Sequence, residues 1–308
     1  MDLDDIRAAV TLADAVAVVE SAFRTQGNGR IVQPPPMGLD LPAGQIHVKA
    51  AQLGPDRPVV IKVATGFPVN STDGLIPGDG AMIVLNPRTG HLQALLVDRG
   101  WLTDVRTAAA VAVAVRHLTR TPPTHLAILG TGVQAELTAR VLDEIGVLPP
   151  HVSIWGRSRQ KATSLAQALA TTTFEIAVPS TAADAVTDAD IVITTTSSRT
   201  PILRGEWLSD HALVIAVGAD SIGKRECDDT VLRRATRFVT DNSEQSAQLG
   251  ELQHLPDACW STPTVELGVL LSQNDHASPQ GIQLVDLTGI GAQDAAIAEL
   301  ALAANLPP

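Results

Sequence analysis

The residues of this chain best suited to chemistry begin with Gly130-Thr131-Gly132-Val133-Gln134-Ala135, which follows the apolar run Leu126–Leu129 and opens a helical pattern. The first glycine permits a tight turn and the second lets a pyrophosphate approach the backbone. A small third residue lets helix and strand pack, and Ala135 meets that need. The helix start adds N–H groups and a dipole that favour phosphate, so Gly130, Gly132, Val133 and Gln134 are candidate dinucleotide contacts. Alone, Gly-x-Gly-x-x-Ala also fits an ordinary glycine turn; its place at the head of alternating strands and helices points to a dinucleotide. The next strand runs into Trp155-Gly156-Arg157-Ser158-Arg159. An Asp or Glu there would accept from the ribose hydroxyls of NAD. Two guanidinium groups and a hydroxyl suit a 2′-phosphate instead, so Arg157, Ser158 and Arg159 predict NADP(H) in preference to NAD(H), with NAD(H) still possible. A pair of solvated arginines at a helix start would look the same.

Other side chains stand where an ordinary surface residue would not. Lys62 lies in the apolar run Val59-Val60-Ile61-Lys62-Val63. A lysine there is paired, has a lowered pKa that suits proton donation, or snorkels at a sheet edge. Arg106 precedes the apolar stretch Ala108–Val115 and reads either as a surface cation or as a ligand clamp. Asp220 follows the strand Leu213–Val217, at the carboxyl end where ligands of open α/β sheets lie, or else caps a turn. Gln45, His47 and Lys49 alternate along one strand and share a face, so His47 and Lys49 can line one pocket. His47 reads equally as a structural histidine. Thr195, Thr196, Val217, Gly218 and Gly289 complete the candidate cofactor contacts. Cys227 and Cys259 have no neighbouring base, and the eight histidines form no cluster, so neither a thiol nucleophile nor a metal ion is expected.

These residues need two kinds of scaffold. Residues 3–27 have helical spacing, residues 34–42 read as a loop, and four short β runs follow up to residue 97. A linker at Thr119-Arg120-Thr121-Pro122-Pro123 leads into alternating strands and helices, several of the strands being short continuous apolar runs. That pattern predicts a parallel sheet buried on both faces. The expected fold is α/β: a Rossmann-type doubly wound domain over residues 119–286, and a discontinuous α+β domain of residues 1–118 with 287–308. At 308 residues, two domains also agree with roughly 150 residues per domain. With 22 Lys+Arg against 33 Asp+Glu the net charge is −11, and aromatic residues make up 3% of the chain with no Tyr. Such a surface excludes nucleic acid and argues against anionic membranes as partners. The acidic amino terminus, two cysteines and lack of a long apolar run lead to an expected cytoplasmic location.

Three motifs, in order and over nearly the whole chain, resemble those of the ornithine cyclodeaminase/mu-crystallin family. They are Leu102-Thr103-Asp104-Val105-Arg106-Thr107-Ala108-Ala109, Gly130 to Ala135, and Gly218-Ala219-Asp220-Ser221-Ile222-Gly223-Lys224-Arg225-Glu226. The resemblance implies that Arg106 binds a substrate carboxylate, that Thr107 and the helix start after it contact the cofactor phosphates, and that Lys62 and Asp220 are catalytic. It also implies a homodimer built through the amino-terminal sheets, whose substrate-binding domain holds a small amino or imino acid. Cyclodeaminases carry a carboxylate thirteen residues before the lysine, where this chain has Lys49, and an arginine near Pro36-Met37-Gly38, where it has none. These departures, with Asp286 to Asp294, look more like the ectoine-utilisation branch. The expected activity is NAD(P)H-dependent reduction of a small α-imino acid. The alternatives are a redox-neutral cyclodeaminase and a non-catalytic, mu-crystallin-like binding protein.

Overall fold

The computed structural model describes residues 1–67, 78–119, 121–170, 174–256, 259, 261–273 and 280–303. Arg120 of the expected linker, Pro68 to Asn70 after the lysine strand, and residues 304–306 of the carboxyl-terminal segment lie outside them. The chain divides into two compact units, Met1–Ala110 with Ile290–Pro308, and Val111–Gly289.

The first unit opens with α1 (Leu3–Ala9) and α2 (Leu12–Gly27), where a single helix over 3–27 is expected. Val10 is extended, and the Thr11 hydroxyl accepts from the Asp14 N–H to cap a new helix. The apolar spacing runs through this break, so periodicity alone does not reveal it. An antiparallel sheet follows in the order β1 (Met37–Leu41), β2 (Gly44–Gln52), β3 (Val59–Gly66), β4 (Gly78–Leu85) and β5 (Leu92–Leu96). The expected loop at 34–42 is therefore partly a strand: β1 pairs with β2 from Met37↔Val48 to Leu41↔Gly44. Helix α3 (Trp101–Leu118) then carries the apolar stretch Ala108–Val115, all of it buried. The division between the units falls within this helix.

In the second unit β6 (His125–Leu129), α4 (Val133–Glu144), β7 (His151–Trp155), α5 (Arg159–Leu169) and β8 (Glu175–Ala177) build outward in one direction. After α6 (Ala182–Val186) the chain returns to the other side of β6 as β9 (Ile191–Thr194), followed by β10 (Leu213–Ala216). Helix α7 (Asp229–Arg234), β11 (Ala235–Thr240), α8 (Ser243–Leu249), β12 (Thr264–Glu266), α9 (Leu267–Ser272) and β13 (Ile282–Asp286) complete the unit. Its sheet runs β12-β11-β13-β10-β9-β6-β7-β8 with every pairing parallel. Strands β9, β10 and β13 are buried along their whole length, which is why β9 and β10 read as short apolar runs, while β13 carries Gln283 and Asp286 into the interior. The strand order reverses between β6 and β9, the switch point at which open α/β sheets bind ligands. Helix α10 (Gly291–Ala303) then packs on α2, β2 and β3 in the first unit. Among the described residues no helix is long and apolar enough to cross a membrane.

Among the described residues, the second unit buries Glu226, Glu251 and Asp286 with no ion-pair partner. Burial, with the charges of Asp286 and Glu226, pushes the Glu251 carboxyl up to about 8. Burial also raises Asp286 to about 7, against a hydrogen bond from the Ser246 hydroxyl. The folded state then holds protons that the unfolded chain releases, so these groups lower stability as pH rises from about 5 to 7. A thermal unfolding series over that interval is expected to show the melting temperature falling in the wild type and falling less in Asp286→Asn. An equal pH dependence in the two proteins contradicts this account.

Candidate active site

Lys62 on β3 lies directly opposite Lys49 on β2 and Met82 on β4, so the three share one face of the antiparallel sheet. His47 and Ala51, two residues on either side of Lys49, share it too. Helix α10 covers this face, and Gly291 permits it. A Cβ there would lie 2.6 Å from the Ala50 carbonyl oxygen and 3.2 Å from the Ala51 Cβ. The close approach brings Asp294 onto Lys62, with Nζ 3.0 Å from Oδ1 and 2.9 Å from Oδ2. From α3, Arg106 places Nε 3.0 Å from Asp294 Oδ1 and donates from Nη1 to Gln293 Oε1 at 2.9 Å. All four side chains are buried. Nη2 is the guanidinium nitrogen that these two contacts do not use.

The electrostatics follow from this arrangement. Burial pulls Lys62 down to about 7; Asp294 opposes the fall, while Arg106 and Lys49 add to it. Burial works to raise Asp294, but Lys62, Arg106 and Lys49 outweigh it and hold that carboxyl below the ordinary range. Asp98, at the start of α3, accepts from the Leu102 N–H at 2.8 Å, and burial raises its pKa against that bond and the Lys62 charge.

The structure thus assembles Lys62, Lys49 and Arg106, with His47 on the same strand face, and adds Asp294, Gln293 and Asp98, which sequence reasoning did not select. Asp294 had a visible signal. It is an acid in the first turn of a helix whose neighbours are apolar and buried, and such an acid needs a cation as much as a lysine in an apolar strand needs an anion. The helix start expected after Thr107 requires a correction. Helix α3 begins at Trp101, so no helix N-terminus follows Thr107, whose hydroxyl donates to the Thr103 carbonyl one turn back.

In the second unit, Gly130 has φ +148°, and a Cβ there would fall 2.1 Å from the Thr195 hydroxyl oxygen, so this glycine is required by folding alone. Gly132 differs. Its φ is −92°, a Cβ would meet nothing within 4 Å, and it begins α4 without a side-chain cap. Ala135 is buried and Val133 half exposed. The Thr195 hydroxyl is buried with no hydrogen-bond partner among the described residues. A bare helix start, open space over Gly132 and an unanswered hydroxyl beside the switch point fit a bound dinucleotide pyrophosphate. Arg157, Ser158 and Arg159 are exposed, and the Ser158 hydroxyl accepts from the Lys161 N–H to cap α5. Gly289, at φ +77°, donates its N–H to Asp241, while Val217 is buried and donates its own to the Thr194 carbonyl. Asp220 sits in the loop after β10 and is held by Lys224 Nζ and the Ser221 hydroxyl.

The sequence profile of the ornithine cyclodeaminase/mu-crystallin family matches residues 2–303. The chain belongs to that family. A Rhizobium meliloti protein that bears a provisional dehydrogenase name is 39% identical over 94% of this chain and 90% of its own length. An uncharacterised cyclodeaminase of Sinorhizobium fredii is 38% identical, over 94% and 89%. The solved structure of an archaeal alanine dehydrogenase dimer with bound NAD superposes with a TM-score of 0.91 at 25% identity, covering all of this chain and 97% of that one. Other relatives are named as Δ1-pyrroline-2-carboxylate, iminosuccinate and ketimine reductases, so the family likeness spans imine reductases and cyclodeaminases.

Because nothing in the fold requires glycine at 132, Gly132→Ala is expected to keep the wild-type melting temperature while weakening NADPH binding at least about tenfold, equivalent to about 1.4 kcal/mol. Unchanged affinity in a fluorescence titration would mean that no pyrophosphate approaches this residue.

Proposed function

We propose that this enzyme reduces a small α-imino acid with a nicotinamide dinucleotide, with oxidation of the corresponding amino acid as the reverse reaction. The observation that carries the reading is the composition of the site on the first unit, where three basic side chains, Lys49, Lys62 and Arg106, face two buried carboxylates, Asp294, held below its ordinary pKa range, and Asp98, raised above it. That excess of positive charge suits a substrate carboxylate, which Arg106 is suited to hold through a charge-assisted, planar contact. His47 is the neighbouring candidate for a substrate contact.

When bound, the reduced nicotinamide supplies a hydride for the imine carbon. The imine nitrogen needs a proton, and Lys62 holds one on Nζ with a pKa near the working pH, where proton transfer is most effective. Asp294 keeps Nζ and the guanidinium in fixed places, so the donor and the carboxylate anchor are prepared before substrate arrives. Asp220 is the second candidate for handling a proton. For the dinucleotide, we assign the phosphates to Gly130, Gly132, Val133 and Gln134, further contacts to Thr107, Thr195, Thr196, Val217, Gly218 and Gly289, and a 2′-phosphate to Arg157, Ser158 and Arg159. This set favours NADPH over NADH.

A redox-neutral cyclodeaminase is the second reading, kept by the Sinorhizobium relative's name. A diamino acid would bring a second ammonium toward Lys49, Lys62 and Arg106, which disfavours it. We also assign the chain to a homodimer. Met37, Leu39 and Leu41 lie on one face of edge strand β1 and are about half exposed, an apolar row suited to a partner sheet.

Oxidation of NADPH by a panel of cyclic and linear imino acids tests the activity. Ammonia release from a diamino acid without net change in NADPH absorbance would favour the cyclodeaminase. Reductive turnover requires Lys62 protonated, so kcat/KM is expected to fall as pH rises through about 7, and the oxidative direction to rise over the same interval. Lys62→Met should remove this limb and lower kcat by at least about 100-fold, the usual effect of losing a proton donor. Arg157→Ala combined with Arg159→Ala is expected to raise the NADPH KM at least about tenfold, the loss of a charge-assisted phosphate contact, and to leave that for NADH within about twofold. Equal effects on the two cofactors would refute the 2′-phosphate assignment. A monomer mass by light scattering would refute the dimer.

A further inference from the structure

Glu226, the last residue of the Gly-x-Asp-x-x-Gly-Lys-x-Glu segment, is fully buried and has no part in the reaction described above. Its carboxylate accepts four hydrogen bonds, all from uncharged groups at the carboxyl ends of two neighbouring strands. Oε2 takes the Thr194 hydroxyl at 2.7 Å and the Gly218 N–H at 2.8 Å. Oε1 takes the Thr196 N–H at 2.5 Å and the Thr196 hydroxyl at 2.7 Å. Burial raises this carboxyl's pKa, and the same hydrogen bonds oppose the rise.

Glu226 is itself fixed. Its N–H donates to Glu251 Oε1 at 2.7 Å, and its carbonyl accepts from the Ile202 and Leu203 N–H groups. The strand ends it joins are in contact: a Cβ on Gly218 would fall 1.9 Å from the Thr196 carbonyl oxygen and 2.6 Å from the Glu226 carboxyl carbon. Between the two threonines that Glu226 holds lies Thr195, whose buried hydroxyl has no hydrogen-bond partner among the described residues. The Gly218 bond also closes the loop that carries Asp220.

We propose that Glu226 is a positioning residue for the dinucleotide, one carboxylate that ties the ends of β9 and β10 together so that Thr195, Thr196 and Gly218 are set for the cofactor before it binds. This inference rests on the dinucleotide reading of the second unit. Gln is the discriminating replacement. It has the same shape, but its NH₂ cannot accept, so at least one N–H or hydroxyl that now meets an acceptor would face a donor.

The test is a fluorescence titration of NADPH into wild type, Glu226→Gln and Thr194→Val, with steady-state kinetics on the same proteins. Thr194→Val removes one buried donor of the clamp without changing its size, and serves if Glu226→Gln does not fold. Glu226→Gln is expected to raise the NADPH Kd at least tenfold and Thr194→Val at least threefold. The imino acid KM at saturating NADPH should stay within twofold, and the pH limb near 7 should remain. Kd values within twofold of wild type, whatever happens to the melting temperature, would overturn the proposal, as would equal losses in cofactor and imino acid binding. Absence of NADPH binding by the wild type would instead remove the dinucleotide reading beneath it.

Discussion

A single buried carboxylate, Asp294, governs the organisation of the candidate site. Lys49 and Lys62 stand directly opposite one another on adjacent strands, a juxtaposition of like charges that a sheet ordinarily avoids. Arg106 brings a third cation into the same buried space. Removing one member of such a cluster leaves uncompensated charge in the interior, which is costlier than never having buried it. The anion therefore has to be present and well placed. Asp294 meets this need from the far end of the chain, and Gly291 lets its helix settle close enough on β2 to do so. The return of residues 290–303 to the first unit and the chemistry of Lys62 are thus parts of one arrangement.

The second unit handles buried acids differently. Glu226 is balanced by hydroxyl and N–H donors. Neutral donors give a carboxylate less stabilisation than a cation would, but each fixes a particular backbone segment. A site that must hold a large, flexible cofactor gains from several loops pinned at known points; a site that must move one proton gains from a lysine whose pKa burial lowers and a neighbouring carboxylate holds up. The two balancing devices match the two tasks assigned to the units.

Much of this was legible in the residues. The doubly wound unit announces itself through short apolar runs alternating with helical spacing, because strands covered on both faces leave no polar alternation. The glycine loop and the lysine strand were equally plain. What escaped detection depends on partners distant in the chain. The break at Val10-Thr11 hides beneath continuous apolar spacing, since a cap is a single hydrogen bond. Strand β1 exists because β2 is there to pair with it, and Met37 to Leu41 alone looks like the end of a proline-rich loop. Helices α7, α8 and α9 and strand β12 are short, with too few turns to show a period. Asp294 stands out in the sequence as an acid in need of a cation, but its pairing with Lys62 does not, because only folding brings the first turn of α10 to that strand.

The net charge of −11 at first looks unsuited to an enzyme whose cofactor and substrate are both anions. Long-range repulsion, however, is weak beyond the Debye length, about 8 Å at physiological ionic strength, whereas charges held in a buried site are screened much less. What a ligand experiences at contact is therefore the local set, Lys49, Lys62 and Arg106 on one unit and the exposed Arg157 and Arg159 on the other. On the proposed reading, small anions that reach these clusters meet charges the rest of the surface does not cancel. An acidic overall charge is therefore compatible with anionic ligands, because what decides their binding is where the few cations are placed.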